Sequence, residues 1–253
     1  MIALTWNVAG RVSRQPEQAV AVASAGADVV ALQEVTPRTE PLWRAALAEA
    51  GLSACEVAEV PAERRRPLAV LVAAREPLRR LPLPAGVPWP ERVLCCTLGE
   101  VQIVNFHSPI SPAPELAKVR AHEALAAYLR DAPPPAVLCG DLNTPRRELD
   151  DGEVLTFAHD SKGRLREERG ERWNEAERAL VWGLRQRGWV DAYRALHGYG
   201  ERSASWTFAH DRGGWRLDHV LAHGLRPAAA RYAHEWRRAG LSDHSALIVD
   251  LVG

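Results

Sequence analysis

Apolar and polar positions along this chain fall into short runs that switch period, and the switches mark out elements. "IALTWNV" (2–8) predicts a strand, and "QPEQAVAVASAGA" a helix that stops at Gly26. "DVVALQEV" is a second strand, apolar through Leu32, and "PRTEPLWRAALAEAGL" a helix closed by Gly51. Residues 56–92 are punctuated by seven prolines, so only "LAVLVAA" predicts a strand there and the rest reads as surface loop. "RVLCCTLGEVQIVNFHS" predicts a hairpin turning at Gly99-Glu100. "SPAPELAKVRAHEALAAYLRDA" predicts a helix with Leu116, Val119, Leu125 and Leu129 on one face. Ala136–Gly140 is a further strand, residues 146–172 are polar, and "WNEAERALVWGLRQRGW" is an amphipathic helix. "SASWTF", "WRLDHVLA" and "HSALIVDL" predict the last strands.

With 253 residues, no internal repeat and no low-complexity linker, the simplest organisation is one α/β domain spanning 1–253, its sheets covered by helices. Formal net charge is +0, so no global field draws the chain to nucleic acid or membrane, and attraction for a polyanion has to come from a local patch. Only Lys118 and Lys162 are lysines; the other basic residues are arginines. Cys55, Cys95, Cys96 and Cys139 form no C-x-x-C pair and predict small buried thiols of a reducing compartment. The opening "MIALTWNVAG" lacks the basic and apolar regions of a signal peptide, and no run approaches the ~18 apolar residues of a membrane span. The expectation is a cytoplasmic monomer.

The chemistry sits at strand ends. Asn7 lies at the exit of the first strand and Gln33-Glu34 at the end of the second. Asn105 and His107 end "VQIVNFH", and Asp141 and Asn143 follow the strand in "VLCGDLNTP". Asp218 and His219 lie among apolar neighbours in "WRLDHVLA", and Asp243-His244 precede the final strand. Each has an ordinary reading as turn former, cap or hydrogen-bonded core residue. Burying a carboxylate is costly unless it is paired or metal-bound, so this many at strand ends point to one active site.

The segments "TWNV", "LQEV", "VNFHS", "GDLNTP", "WRLDHVLA" and "LSDHSALIV", in this order, resemble the endonuclease/exonuclease/phosphatase superfamily over nearly the whole chain. The resemblance implies a four-layer α/β sandwich: two packed, mainly antiparallel sheets flanked by helices, with the active site at one rim. It implies that Glu34 is the main ligand of a divalent cation, Mg²⁺ or Mn²⁺, with Asn7 beside it and Asp243 as a second acidic contact. Asp141 and Asn143 would orient or activate the attacking water and hold a phosphate oxygen. His244, paired with Asp218, would stabilise the scissile phosphate, and His107 would contact phosphate and aid the leaving oxygen. These roles suit phosphoester chemistry: a hard cation on oxygen ligands offsets the charge that repels the attacking oxygen, and a carboxylate takes the water's proton.

The fold resemblance settles reaction type better than substrate. The C-terminal third, "GLRQRGWVDAYRALHG" through "SWTF" to "GWRLDHVLA", looks like the exonuclease-III-type branch, and arginines cluster at 64–66, 79–80, 146–147 and 164–172. Nucleic acid is therefore the expected substrate, with Arg146, Arg147, Trp206 and Arg216 as its contacts. Against abasic-site cleavage stands "NFHSPISP", where that branch carries Tyr-x-Pro-Asn-Gly. The alternatives are a phosphoesterase acting on a phospholipid headgroup, inositol phosphate or nucleotide, and a member that binds nucleic acid without cleaving it.

Overall fold

The computed structural model of the chain describes residues 1–208 and 212–253. Its strands are β1 (Ile2–Asn7), β2 (Val29–Val35), β3 (Ala54–Val57), β4 (Ala69–Ala74), β5 (Leu78–Arg80), β6 (Val93–Leu98), β7 (Val101–Phe106) and β8 (Ala136–Asp141). After a short ribbon of β9 (Arg147–Glu148) and β10 (Val154–Leu155) come β11 (Trp189–Asp191) and the two-strand ribbon β12 (Trp206–Thr207) and β13 (Gly214–Trp215). β14 (Asp218–His223), β15 (Arg226–Ala233) and β16 (Ala246–Val252) complete the set. Two six-stranded sheets result, ordered β15-β16-β1-β2-β4-β3 and β11-β14-β8-β7-β6-β5. Only β1–β2 and β7–β8 pair in parallel among the described strands.

The apolar runs lack clean alternation because both faces of each sheet are covered. Alternate residues of one strand enter different cores: Val29 and Ala31 of β2 face the other sheet, where they join Val72, Leu94, Ile103, Val137, Val220 and Leu247. Val30 and Leu32 of the same strand face outward, onto Val22 of α1 (Gln15–Ser24) and Trp43 and Leu47 of α2 (Glu40–Glu49). On the second sheet Val104, Phe106, Leu138 and Leu221 pack against Leu125 and Leu129 of α3 (Ala117–Arg130). The layers are thus helix, sheet, sheet, helix.

The predicted helices are partly redrawn. The third begins only at Ala117, because Glu115 and Leu116 have positive φ; Leu116 is 43% exposed and leaves the apolar face formed by Val119, Leu125 and Leu129. The fourth starts earlier, as α4 (Gly170–Arg178), and runs on as a π turn over Ala179–Gly183. "SASWTF" contributes only Trp206–Thr207 to a ribbon. Strands β3, β5, β11 and β15 and the helices α5 (Ala192–His197) and α6 (His234–Arg238) have no counterpart in the sequence pattern. Cys95, Cys96 and Cys139 are buried and free, and burial pushes each thiol up to about 12. No helix of the described residues is long and apolar enough to cross a membrane.

Candidate active site

The site forms where strand ends of both sheets meet at one rim, and three backbone irregularities aim its carboxylates and amide. The β2–β4 register shifts between Leu32 and Val35, and Glu34 there takes φ 61°, a strained bulge that turns its carboxylate out of the ladder. Gly140 has φ 130°, and a Cβ on it would lie 2.0 Å from the Phe106 carbonyl oxygen. Only glycine lets β8 run this close to β7 just before Asp141. Asn143 follows at φ 50°, a left-handed conformation that asparagine tolerates.

These turns bring seven of the expected residues into one network. Asn7 Nδ2 donates to Asp141 Oδ2 at 3.0 Å and to Glu34 Oε1 at 3.3 Å, linking the two sheets. Asp141 Oδ1 accepts from the Asn143 backbone N–H at 3.0 Å, and Asn143 Nδ2 donates to the Ser108 carbonyl at 2.9 Å. β14 sets Asp218 directly opposite Asp141. His244 Nδ1 donates to Asp218 Oδ2 at 2.8 Å while its Nε2 lies 3.8 Å from Asp141 Oδ2. His107 Nε2 is 3.6 Å from Asp141 and 3.7 Å from Glu34. His244 is pinned by its backbone: its carbonyl accepts from Trp6 Nε1, and Ser242 Oγ joins its N–H to the Asn7 carbonyl.

Burial splits the titrating groups. Burial, together with the neighbouring Asp218, pushes the Asp141 carboxyl up to about 7 against the hydrogen bonds it accepts and the pull of His244. Burial alone would lower His244, but the Asp218 and Asp141 carboxylates outweigh it and hold the imidazole up at about 10. The imidazolium is therefore the resting form near neutral pH. His107 goes the other way: burial, Arg92 and His244 push it well below its ordinary value. Arg92 Nη1 lies 3.1 and 3.2 Å from the two ring nitrogens, which suits a neutral ring that can accept. A neutral His107 ring keeps one N–H, and the Arg92 guanidinium stands beside it.

Other expected residues fall elsewhere. Asp243 is exposed and accepts from Trp206 Nε1 at 3.2 Å, outside the buried cluster. Arg216, expected to contact substrate, lines the same cavity as Arg146 and Arg147 but is 5% exposed, with its guanidinium on Glu148 (2.5 and 2.9 Å) and Asp191 (2.6 Å). Arg194 joins the same network through Glu148 at 2.7 Å. His219 bonds the Thr144 carbonyl at 2.8 Å, and Asn105 and Gln33 join the two sheets. Arg146, Arg147 and Trp215 line a cavity of about 630 Å³, with Arg202, Arg237 and Arg238. Trp206 stacks on Trp215 with ring centroids 5.1 Å apart.

Does the donor set suit a hard cation? Glu34 is the carboxylate that the rim leaves open to solvent, its side chain 25% exposed, so a cation there could keep waters. Asp218 Oδ1 is a buried carboxylate oxygen with no hydrogen-bond partner, and Asp141 is a carboxylate in need of positive charge. Glu34 and Asp141, bridged by the one Asn7 amide, offer carboxylate oxygens that suit a divalent cation. As oriented, Asn7 turns its amide nitrogen toward Glu34 while its oxygen accepts from Ala9 N–H at 2.9 Å, so Asn7 acts as bridge. Asp141, Asp218 and His244 also offer ligand atoms within 4.8 Å of one another, with His244 Nδ1 bonded to Asp218.

Fold and rim together define a two-sheet α/β sandwich whose site is a buried carboxylate–histidine cluster. The chain belongs to the endonuclease/exonuclease/phosphatase family, whose pattern it matches over residues 4–244. Among solved structures it resembles an AP endonuclease from Archaeoglobus fulgidus at 20% identity and TM-score 0.76, over 100% of both chains. It also resembles the 3′ phosphatase NExo from Neisseria bound to product DNA hairpin, at 22% identity and TM-score 0.72 over 100% of both chains. Humanized D. rerio TDP2 follows at 14% identity and TM-score 0.67, with 100% of this chain and 99% of that one covered. No curated protein matches the sequence.

Proposed function

We propose that this protein is a divalent-metal-dependent phosphodiesterase that hydrolyses nucleic acid by attack of an activated water. The observation that carries the reading is the Asp218–His244–Asp141 cluster beside Glu34, in which one carboxyl is poised near neutrality and one imidazole is held cationic. Asp141 accepts the proton of the attacking water, and its value of about 7 matches the operating pH of a general base. His244, fixed by Asp218, places positive charge where the phosphoryl oxygens gain negative charge. Asn143 and Asn7 hold Asp141 in its orientation. Arg92 supplies a further cation beside His107. A cation on Glu34 would supply Lewis-acid charge neutralisation when bound.

Nucleic acid is favoured as the substrate by the arginine-lined cavity beside the rim and by the stacked Trp206–Trp215 pair, which suit phosphates and bases respectively. The Neisseria relative, solved with a product DNA hairpin bound, agrees with that choice. The test is an activity panel with Mg²⁺ or Mn²⁺: single- and double-stranded DNA, RNA, abasic duplex, an inositol phosphate, a phospholipid and bis(p-nitrophenyl) phosphate. Nucleic acid and the small diester should turn over, chelator should stop both, and Glu34→Ala should weaken Mn²⁺ binding in calorimetry. Turnover in excess chelator removes the metal from the reading. Readily cleaved lipid or inositol phosphate with intact nucleic acid removes the nuclease half.

A further inference from the structure

Behind the catalytic loop lies an ion pair that the reaction itself does not use. Lys118 on α3 and Glu177 on α4 are 1% and 0% exposed and meet at 2.9 Å. Lys118 Nζ also donates to the Asn143 carbonyl at 2.7 Å. Glu177 accepts from Thr144 Oγ1 at 2.6 Å, from the Phe157 backbone N–H at 3.0 Å and from Trp173 Nε1 at 2.5 Å. The Lys118 ammonium lies 4.9 Å over the Phe157 ring. One turn further along α3, His122 bonds Ser108 Oγ at 2.7 Å, and the Ser108 carbonyl is the acceptor of the Asn143 side chain. Helix α3 thus carries two brackets, four residues apart on one face, and both end on Asn143.

We infer that Lys118 is a positioning residue for the proposed hydrolysis: with Glu177 it clamps the backbone at Asn143–Thr144 from behind and so fixes the carboxylate of Asp141. The inference rests on the hydrolase reading for its consequence, while the clamp itself is a matter of geometry. The chain of contacts is short. Lys118 holds the Asn143 carbonyl, Asn143 stays at φ 50°, and its N–H keeps Asp141 Oδ1 in place at 3.0 Å. Burying two charges costs more than packing two apolar side chains of similar volume. Here the pair's bonds fall on two successive residues of the loop that follows Asp141, where an apolar pair would offer the loop nothing to hold. Release of the carbonyl would let Asn143 leave its left-handed conformation and turn its N–H away from Asp141.

A double-mutant cycle separates positioning from general stability. Lys118→Met is measured alone and in an Asp141→Asn background, at a temperature where circular dichroism and melting curves show each protein folded. In the single variant kcat on bis(p-nitrophenyl) phosphate should fall about tenfold with KM changed by less than about twofold, and in the Asp141→Asn background the further loss should shrink below about twofold. Deuterium uptake of the 141–145 backbone should quicken in Lys118→Met. Equal losses in both backgrounds, or full kcat in a folded variant, overturn the inference. If Lys118→Met does not fold, Glu177→Gln enters the same cycle; failure of both to fold makes the pair a fold element only and also overturns it. An inactive wild-type protein would remove the hydrolase reading, yet deuterium uptake in the two proteins would still decide whether the loop is clamped.

Discussion

At Asp141 the protein places a carboxylate that is only 1% exposed, and three consequences are measurable. Asp141→Asn and His244→Ala should each lower kcat on bis(p-nitrophenyl) phosphate by about 10² or more, the usual worth of a base or of a charge-stabilising group, with circular dichroism unchanged. Stability should also carry the mark of both groups. Folding raises His244 from an ordinary 6.5 to about 10, so its contribution is complete below about 6.5 and is lost as pH climbs through about 10. Asp141 is raised from 3.8 to about 7, so its contribution is present below 3.8 and is lost as pH rises through about 7. Metal-free protein should therefore melt at falling temperatures from pH 7 to 10, and His244→Gln should flatten that slope; a melting temperature that rises over this window would refute the assignment. Chemistry at this scale was legible where a residue type is unusual at a strand end, as at Glu34, Asp141 and His244. Arg92 was not, since a lone arginine in a proline-rich segment looks like any surface residue; it gains meaning only from a position beside His107. The burial of Arg216 was equally hidden, because its partners Glu148 and Asp191 are remote in sequence.

Among the elements, the strands that the pattern revealed and those it hid divide by position in the sheet. Every interior strand (β16, β1, β2 and β4 in one sheet; β14, β8, β7 and β6 in the other) was legible as an apolar run. In the two six-stranded sheets the four that were missed, β15, β3, β11 and β5, are the edges. Interior strands are walled by neighbours and covered on both faces, whereas an edge strand is free to be polar or to carry proline, as Pro227 does in "RPAAARYA". Helix starts were misplaced where a residue with positive φ interrupts an otherwise helical composition, as at Leu116. The β7–β8 contact gives a sharp test at this scale. Gly140→Ala forces a Cβ against backbone at 2.0 Å and should unfold the protein or cost more than about 4 kcal/mol. Gly99→Ala, at φ 57° with open space around it, should cost only about 1–2 kcal/mol in the same denaturant titration. Similar losses at the two sites would mean that the close approach is not what demands glycine at position 140.

For the molecule as a whole, a net charge of +0 leaves binding of a polyanion to local patches. Replacing Arg146 and Arg147 by alanine should raise KM for DNA and reduce the slope of log K against log salt by up to about 2, since each phosphate contact contributes about 0.9. An unchanged slope would move the DNA path away from the cavity that these arginines line. The order of strands also fixes an order in time. One sheet draws its strands from residues 2–74 and 226–252, and the second sheet is the continuous stretch 78–223 nested between them. On a ribosome, β1 therefore waits with one edge unpaired until β16 emerges to lie beside it, tying up the Met1–Leu251 contact. His244 arrives in the same late segment, so a nascent chain already holding Glu34, Asp141 and Asp218 still lacks the imidazolium. On the proposed reading, the site stays incomplete until that closing strand is made.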